Sequence, residues 1–442
     1  MSTSTSFSTA PARGMRDLLP KETALRDWAI ISLVKTYEQY GFTRIDTPAI
    51  ENIAQLKGSE GGENLSLIFE ILKRGDKLEK ALSENSTDQK KLIAELSDLG
   101  LRFDLTVPLV RFFAHNQAQL PYPFKSIQIG SVWRAESPQA GRYRQFTQCD
   151  IDVFGIKSEI AEMELIQATA QALLNLGFEK FTVRINDRRI LTALVASCNF
   201  AEDQFNNVFI QIDKLDKIGL QGVKKELLAN GHANEAVEKI CSLLDNLAQN
   251  ATDKTLHKNE IATALLSRLP ANCDKEAIMA LDNVITAISK AAADRYAIVF
   301  DPTLVRGMGY YTGQIFEIVT AGAAHSVAGG GRYDKMVGKY SGRDVPACGF
   351  SIGFERIVSI LMEKEQSTKT ELSKIAVIFD QDRDHLTEVF LKANTLRADD
   401  KCISLLPKKK DMRKQIDSLI AEGFNGYAIY HPEKEGLDVK AF

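Results

Sequence analysis

GSVWRAESPQAGRYRQFTQCDIDVF, residues 130–154, reads as two strands around a polar turn. Ser137, Pro138, Gln139, Ala140 and Gly141 have the composition of a loop between strands. Along the return strand Arg144, Phe146, Gln148, Asp150 and Asp152 share one face, and Gln145, Thr147, Cys149, Ile151 and Val153 share the other. With the turn centred near Gln139, Arg134 on the outgoing strand lies opposite Arg144 and faces the same side. The result is a polar floor with cationic and anionic ends. Taken alone, the same pattern also describes a solvated hairpin with ordinary cross-strand ion pairs.

Working outward, the 442 residues suffice for two or three domains with substantial cores, and 44% hydrophobic with 26% charged residues is ordinary for a soluble globular protein. No apolar run is long enough to span a bilayer. The N-terminal MSTSTSFSTAPA is small and polar, so residues 1–12 are expected to be disordered, neither signal peptide nor anchor. Six scattered cysteines, with no CxxC pair and no histidine at ligand spacing, read as reduced thiols of a cytoplasmic protein and not as metal ligands. A net charge of −3 argues against a protein that coats nucleic acid, DNA included, by bulk electrostatics.

Leu25, Trp28, Ala29, Leu33, Val34 and Tyr37 recur at helical spacing until Gly41, and Phe42 to Pro48 reads as a strand. Residues 73–100, rich in Lys, Glu, Asp and Ser, look like an excursion from the core, after which Leu101 to Val110 reads as a short strand. A helix fits Glu159 to Leu176, closed by Gly177. The spacing predicts long amphipathic helices between 186 and 295, then strands at 296–300, 314–319, 327–334 and 347–352, with a helix over 354–364. Beyond a polar linker at 366–371, strands alternate with helices, which implies a small parallel α/β domain. The expected fold is α+β: domain parts at 13–185 and 296–366 around an inserted helical domain at 186–295, followed by a domain at 372–442.

Four further segments carry arginines or carboxylates, three of them beside glycines. In LRFDLTVPL, Asp104 and Thr106 would point the same way on a strand, or line a solvated edge. LVRGMGYYTGQIFE sets Gly307, Gly309 and Gly313 around Arg306, Tyr310 and Tyr311; backbone this open lets a ligand approach, and arginine suits carboxylate and phosphate oxygens, although a structural loop with a buried tyrosine pair fits too. AGGGRYD, with Arg332 and Tyr333, is a glycine turn that could serve any loop. CGFSIGFERI puts Arg356 in the first turns of a helix, where a guanidinium can lie on a base or simply face water. Neither GxxxxGK[ST] nor GxGxxG spacing occurs, so phosphate binding must come from arginines.

The ordered set RGMRD, LRFDLTVPL, VWRAESPQAGRYRQFTQCDID, LVRGMGYYTGQIFE, AGGGRYD and GFSIGFERI resembles the histidyl-tRNA synthetase family, which belongs to the class II aminoacyl-tRNA synthetases. The resemblance runs from about residue 13 to 365, and the C-terminal unit resembles the family's anticodon-binding domain. It implies a mostly antiparallel sheet flanked by helices, a homodimer, and ATP- and Mg²⁺-dependent activation of L-histidine followed by transfer to tRNA(His). It also implies roles. Arg134 and Arg306 resemble the catalytic arginines on the α-phosphate. Glu136, Arg142, Tyr143, Gly353 and Arg356 resemble the ATP-binding positions. Asp104, Thr106 and Gln148 match the positions that receive the amino group, with Asp152 and Tyr311 on the imidazole and Tyr310 and Tyr333 as pocket walls. Three departures stand out. Gly309 replaces the Asp of most relatives, Asp104 and Asp152 are one methylene shorter than the usual Glu, and the C-terminal domain looks truncated at Phe442. Lys408, Lys409 and Lys410 could touch tRNA or form a solvated helix start. A different class also fits the resemblance: a non-catalytic, histidine-sensing paralogue such as the regulatory subunit of ATP phosphoribosyltransferase.

Overall fold

The structure, a computed structural model, describes residues 8–58, 66–84, 92–93, 95–137, 143–251, 269–306, 309–320, 326–364, 373–397 and 401–442. The chain divides into two units, Met1–Gln366 and Ser367–Phe442.

In chain order the first unit contributes β1 (Thr43–Ile45), β2 (Ile50–Asn52), β3 (Glu70–Leu72), β4 (Ser97–Leu101), β5 (Phe124–Trp133), β6 (Gln145–Phe154), β7 (Phe181–Asp187), β8 (Ala297–Phe300), β9 (Gln314–Thr320), β10 (Ala328–Arg332) and β11 (Ala347–Gly353). Eight of them form one sheet in the order β1-β5-β6-β11-β10-β9-β7-β8. It is parallel only at its two outermost pairs, β1 with β5 and β7 with β8. Every pairing between β5 and β7 is antiparallel. The expected hairpin supplies its second and third strands: Phe124 pairs with Phe154 and Trp133 with Gln145, and Arg134 N–H donates to the Arg144 carbonyl at 2.8 Å. Residues 138–142 of the turn lie outside the described residues.

Alternation on β6 divides the two faces as the pattern requires. Cys149, Ile151 and Val153 are buried in the main core against Leu25, Ala29 and Leu33 of the Pro20–Gln39 helix and Leu165 and Leu173 of the Ile160–Asn175 helix. Asn175 Nδ2 donates to Thr36 Oγ1 at 2.8 Å, tying those helices together. Gly41 at φ +78° and Gly177 at φ +82° let the chain leave each helix in the left-handed region.

Two local readings are corrected. Leu101 to Val110 is not a strand: β4 ends at Leu101, and Thr106–Asn116 is a helix. Asp104 Oδ1 accepts the Val107 N–H at 3.1 Å, and Pro108 occupies the first turn, so a helix start outweighs the apolar run. AGGGR is not the glycine turn but β10, within the strand expected at 327–334 and wholly buried between β9 and β11.

The region 73–100 supplies the Asp76–Glu84 helix and β4, the middle strand of a small β2-β4-β3 sheet; residues 85–91 and 94 lie outside the described residues. The 186–295 region is helical from Arg188, Asn186 and Asp187 completing β7. Its last helix, Lys275–Ala292, packs Ile278, Leu281, Val284 and Ile285 into the same core as the central sheet. Of the N-terminal segment, residues 1–7 lie outside the described residues.

The second unit holds β12 (Lys374–Phe379), β13 (Cys402–Pro407), β14 (Gly426–Ile429) and β15 (Lys440–Ala441) in the order β13-β12-β14-β15. The first three are parallel, with the Leu386–Arg397 and Met412–Ala421 helices between them in sequence; β15 adds an antiparallel edge. Among the described residues no helix is long and apolar enough to cross a membrane.

Candidate active site

The polar face of the central sheet is the floor of a cavity of about 1060 Å³. Every candidate residue taken from the sequence except Arg142, which lies outside the described residues, lines it. The floor is built from cross-strand rungs. Asp150, Ser351, Gly329, Glu317 and Arg184 are successive register partners on β6, β11, β10, β9 and β7. Asp152, Gly349 and Gly331 form the next rung.

One end is acidic and aromatic. Tyr333 Oη donates to Asp152 Oδ1 at 2.5 Å, and Tyr310 lies 4.8 Å from the Tyr311 ring and 5.9 Å from that of Tyr333. Gly349 makes the carboxylate's seat, since a Cβ there would come within 1.9 Å of Asp152 Oδ1. Asp104 Oδ2, Gln148 Oε1 and Asp152 Oδ2 are buried with no partner among the described residues. Three buried acceptors on one cavity wall make a receptor for N–H groups. Ser351 Oγ donates to Asp150 Oδ1 and receives Gln148 Nε2 at 3.1 Å, which turns Gln148 Oε1 away from this pair.

The same burial shifts the carboxyls. Asp152 is pushed up to about 7 by burial, with the Tyr333 hydrogen bond opposing and the Asp104 charge adding. Asp104 is pushed up to about 6 by burial, against the Val107 N–H and Arg134. Asp150 too is raised well above the usual carboxylate range, by burial and then by Asp152. Tyr333 is raised well above the usual phenol range by burial beside Asp152.

The other end is cationic. Arg134 donates from Nε to the Phe103 carbonyl at 3.0 Å and lies 5.1 Å over the Phe146 ring. Arg306 lies on the strand backbone at Gly329, where a Cβ would meet its Cζ at 2.5 Å, and its Nη1 is 3.4 Å from Glu317 Oε2. Arg356 donates from Nη1 to the Ser326 carbonyl at the start of the Phe354–Glu363 helix. Arg16, from the RGMRD segment, stacks 4.4 Å over Tyr143 and pairs with Glu355 at 2.8 Å, which also takes Arg26 at 2.7 Å and the Thr147 N–H at 3.0 Å.

Sequence reasoning placed Asp150 on the polar face without a role and passed over Glu317, Arg184, Ser351 and Glu355. A charge in an otherwise apolar strand was the available signal for Glu317 in QIFEIVT and Arg184 in FTVRIND. Arg332, by contrast, is a structural residue, paired with buried Glu162 at 2.6 Å and not lining the cavity. Among the described residues no group of three or more His, Cys, Asp and Glu side chains could hold a metal ion.

A mostly antiparallel sheet with arginines from three separate segments over one end and buried acceptors at the other defines the catalytic body of a class II aminoacyl-tRNA synthetase. The histidyl-tRNA synthetase family model matches residues 14–357. The "Histidine--tRNA ligase" of Leifsonia xyli subsp. xyli is 44% identical over 438 residues, covering 97% of each chain. The crystal structure of histidyl-tRNA synthetase from Nostoc sp. PCC 7120 matches with a TM-score of 0.74 at 27% identity, over 96% of this chain and 92% of that one. A Bacillus halodurans structure, titled as an ATP phosphoribosyltransferase regulatory subunit/histidyl-tRNA synthetase, shares the fold with a TM-score of 0.72 at 20% identity, over 96% of this chain and 100% of that one. The chain belongs to the histidyl-tRNA synthetase family.

Proposed function

We propose that this protein is a histidine–tRNA ligase: it activates L-histidine with ATP to histidyl-adenylate and transfers the histidyl group to tRNA(His). The observation that carries this reading is the convergence of Arg134, Arg306 and Arg356 on one cavity with the Asp152–Tyr333 pair. A histidine carboxylate oxygen attacks the α-phosphorus of ATP, the bond to the bridging oxygen breaks, and pyrophosphate leaves. The step brings anions together and needs no side-chain nucleophile; fixed guanidinium groups supply position and charge. Arg134 and Arg306 hold the α-phosphate and the reacting carboxylate. Arg356 stacks on adenine, with Glu136, Arg142, Tyr143 and Gly353 completing the nucleotide site. Mg²⁺ enters with the ATP phosphates, as part of the substrate.

At the other end Asp104, Thr106 and Gln148 receive the ammonium group. Neutral imidazole has one donor and one acceptor, which Asp152 and Tyr311 satisfy, between Tyr310 and Tyr333. A pocket built on such bonds rejects analogues lacking them by about 10⁴-fold, with no editing domain needed. A cytoplasmic homodimer, with the 372–442 domain on the anticodon, belongs to the same reading by family resemblance. The histidine-sensing alternative has no use for Arg356 and Arg134 in the cavity. Pyrophosphate exchange that requires both ATP and L-histidine tests the proposal. Exchange supported by another amino acid and not by histidine would refute it.

A further inference from the structure

Glu317 faces two arginines at once. Its Oε1 accepts Arg184 Nη1 at 2.9 Å, and its Oε2 faces Arg306 Nη1 at the longer 3.4 Å. Arg184 and Glu317 are direct partners on β7 and β9, so the shorter pair is fixed by sheet register. Arg184 is itself held on two more sides, by Asp301 and by Asp216 at 2.9 Å in the first turn of the Leu215–Ala229 helix. Glu317 is mostly buried, with 12% of its side chain exposed. Such a carboxylate pairs strongly with whichever guanidinium it meets squarely.

We propose that Arg184 and Glu317 are positioning residues for Arg306. Arg184 holds the Glu317 carboxylate to the sheet, so that Glu317 orients the Arg306 guanidinium through one long contact without neutralising it. Arg306 then lies flat on Gly329 with its charge available to the cavity. Without Arg184, Glu317 is free to turn and close a two-pronged pair with Arg306, which withdraws that charge from a bound phosphate. This inference rests on the functional reading above. It assigns a role to residues that reading does not use.

The test compares Arg184→Met, the isosteric Glu317→Gln and the double variant by histidine-dependent pyrophosphate exchange, with rates taken per active site titrated by adenylate burst. Arg184→Met is expected to lower kcat about 10- to 100-fold, part of what removal of a transition-state contact costs, with KM for histidine within about threefold. Adding Glu317→Gln is expected to restore kcat part of the way, because the capturing charge is gone. A merely structural role would lower the melting temperature and the titrated fraction while leaving kcat per site unchanged. That outcome, or losses that simply multiply in the double variant, would overturn the proposal. If Arg184→Met proves insoluble, Glu317→Gln alone decides: kcat and KM both equal to the parent's would refute it. Absence of histidine-dependent exchange in the parent protein would remove the functional reading itself, and this inference with it.

Discussion

Tyr333 reaches over the bare backbone of Gly349 to hydrogen-bond Asp152 at 2.5 Å, so a buried acid of the pocket is oriented from β10's end by a phenol and seated on β11 by a missing side chain. Tyr333→Phe removes one donor to a carboxylate, a bond worth about 1.5–3 kcal/mol. The expected result is a drop of about 10- to 100-fold in kcat/KM for histidine. The Tyr333 bond holds the Asp152 pKa down, so without it the acid limb of the pH profile should also move to higher pH. Steady-state exchange between pH 5.5 and 8.5, a range of about three units around neutral, checks both effects.

Asp152 and Asp104, at about 7 and about 6, are raised above their unfolded value of 3.8, so the native state binds more protons than the unfolded chain across that interval. Their contribution to stability is therefore fully present below about pH 4 and lost as pH climbs through 6 and 7. Asp152→Asn should stabilise the protein at pH 8 on the order of 2 kcal/mol, and much less at pH 5, while abolishing histidine selectivity. Thermal melts at the two pH values measure it. Equal shifts at both would contradict the assigned acidity.

Arg134→Ala and Arg306→Ala should each lower the adenylation rate by about 10²-fold or more, the scale of losing a charge aimed at the transition state. Circular dichroism melts should change little, since neither arginine is part of a hydrophobic core cluster. Near-parental exchange by either variant would be incompatible with its role.

Gly329→Ala intrudes on a flexible guanidinium and not on backbone, at 2.5 Å from Arg306 Cζ. It should fold normally yet lower kcat about 10-fold or more by lifting Arg306 off the sheet. At Gly309 a Cβ meets nothing within 4 Å, so Gly309→Asp should fold with an unchanged melting temperature. Differential scanning calorimetry checks that both variants melt with the parent protein, and pyrophosphate exchange checks the loss of kcat in Gly329→Ala.

The hairpin was legible because its pairing is local: alternation and a polar turn fix both faces and the register from Phe124 to Phe154. The helix at Thr106 was hidden because Leu and Val also suit strands. The cue was the Asp104 carboxylate three residues ahead of Val107, with Pro108 following. Arg306, Tyr311 and Arg356 could be named from their segments, but not Glu317 with Arg184. Those two are 133 residues apart, and only the assembled sheet makes them neighbours.

The rung from Asp150 through Ser351, Gly329 and Glu317 to Arg184 crosses five strands. Neighbouring strands are about 4.8 Å apart, so its span of roughly 19 Å is metered by the peptide ladder itself. Such a gauge tolerates long changes in the connecting loops but not a one-residue slip of any strand, which would turn its tooth of the comb to the opposite face. Retuning this enzyme toward another amino acid is thus a matter of swapping teeth at the acidic end, leaving the spacing untouched.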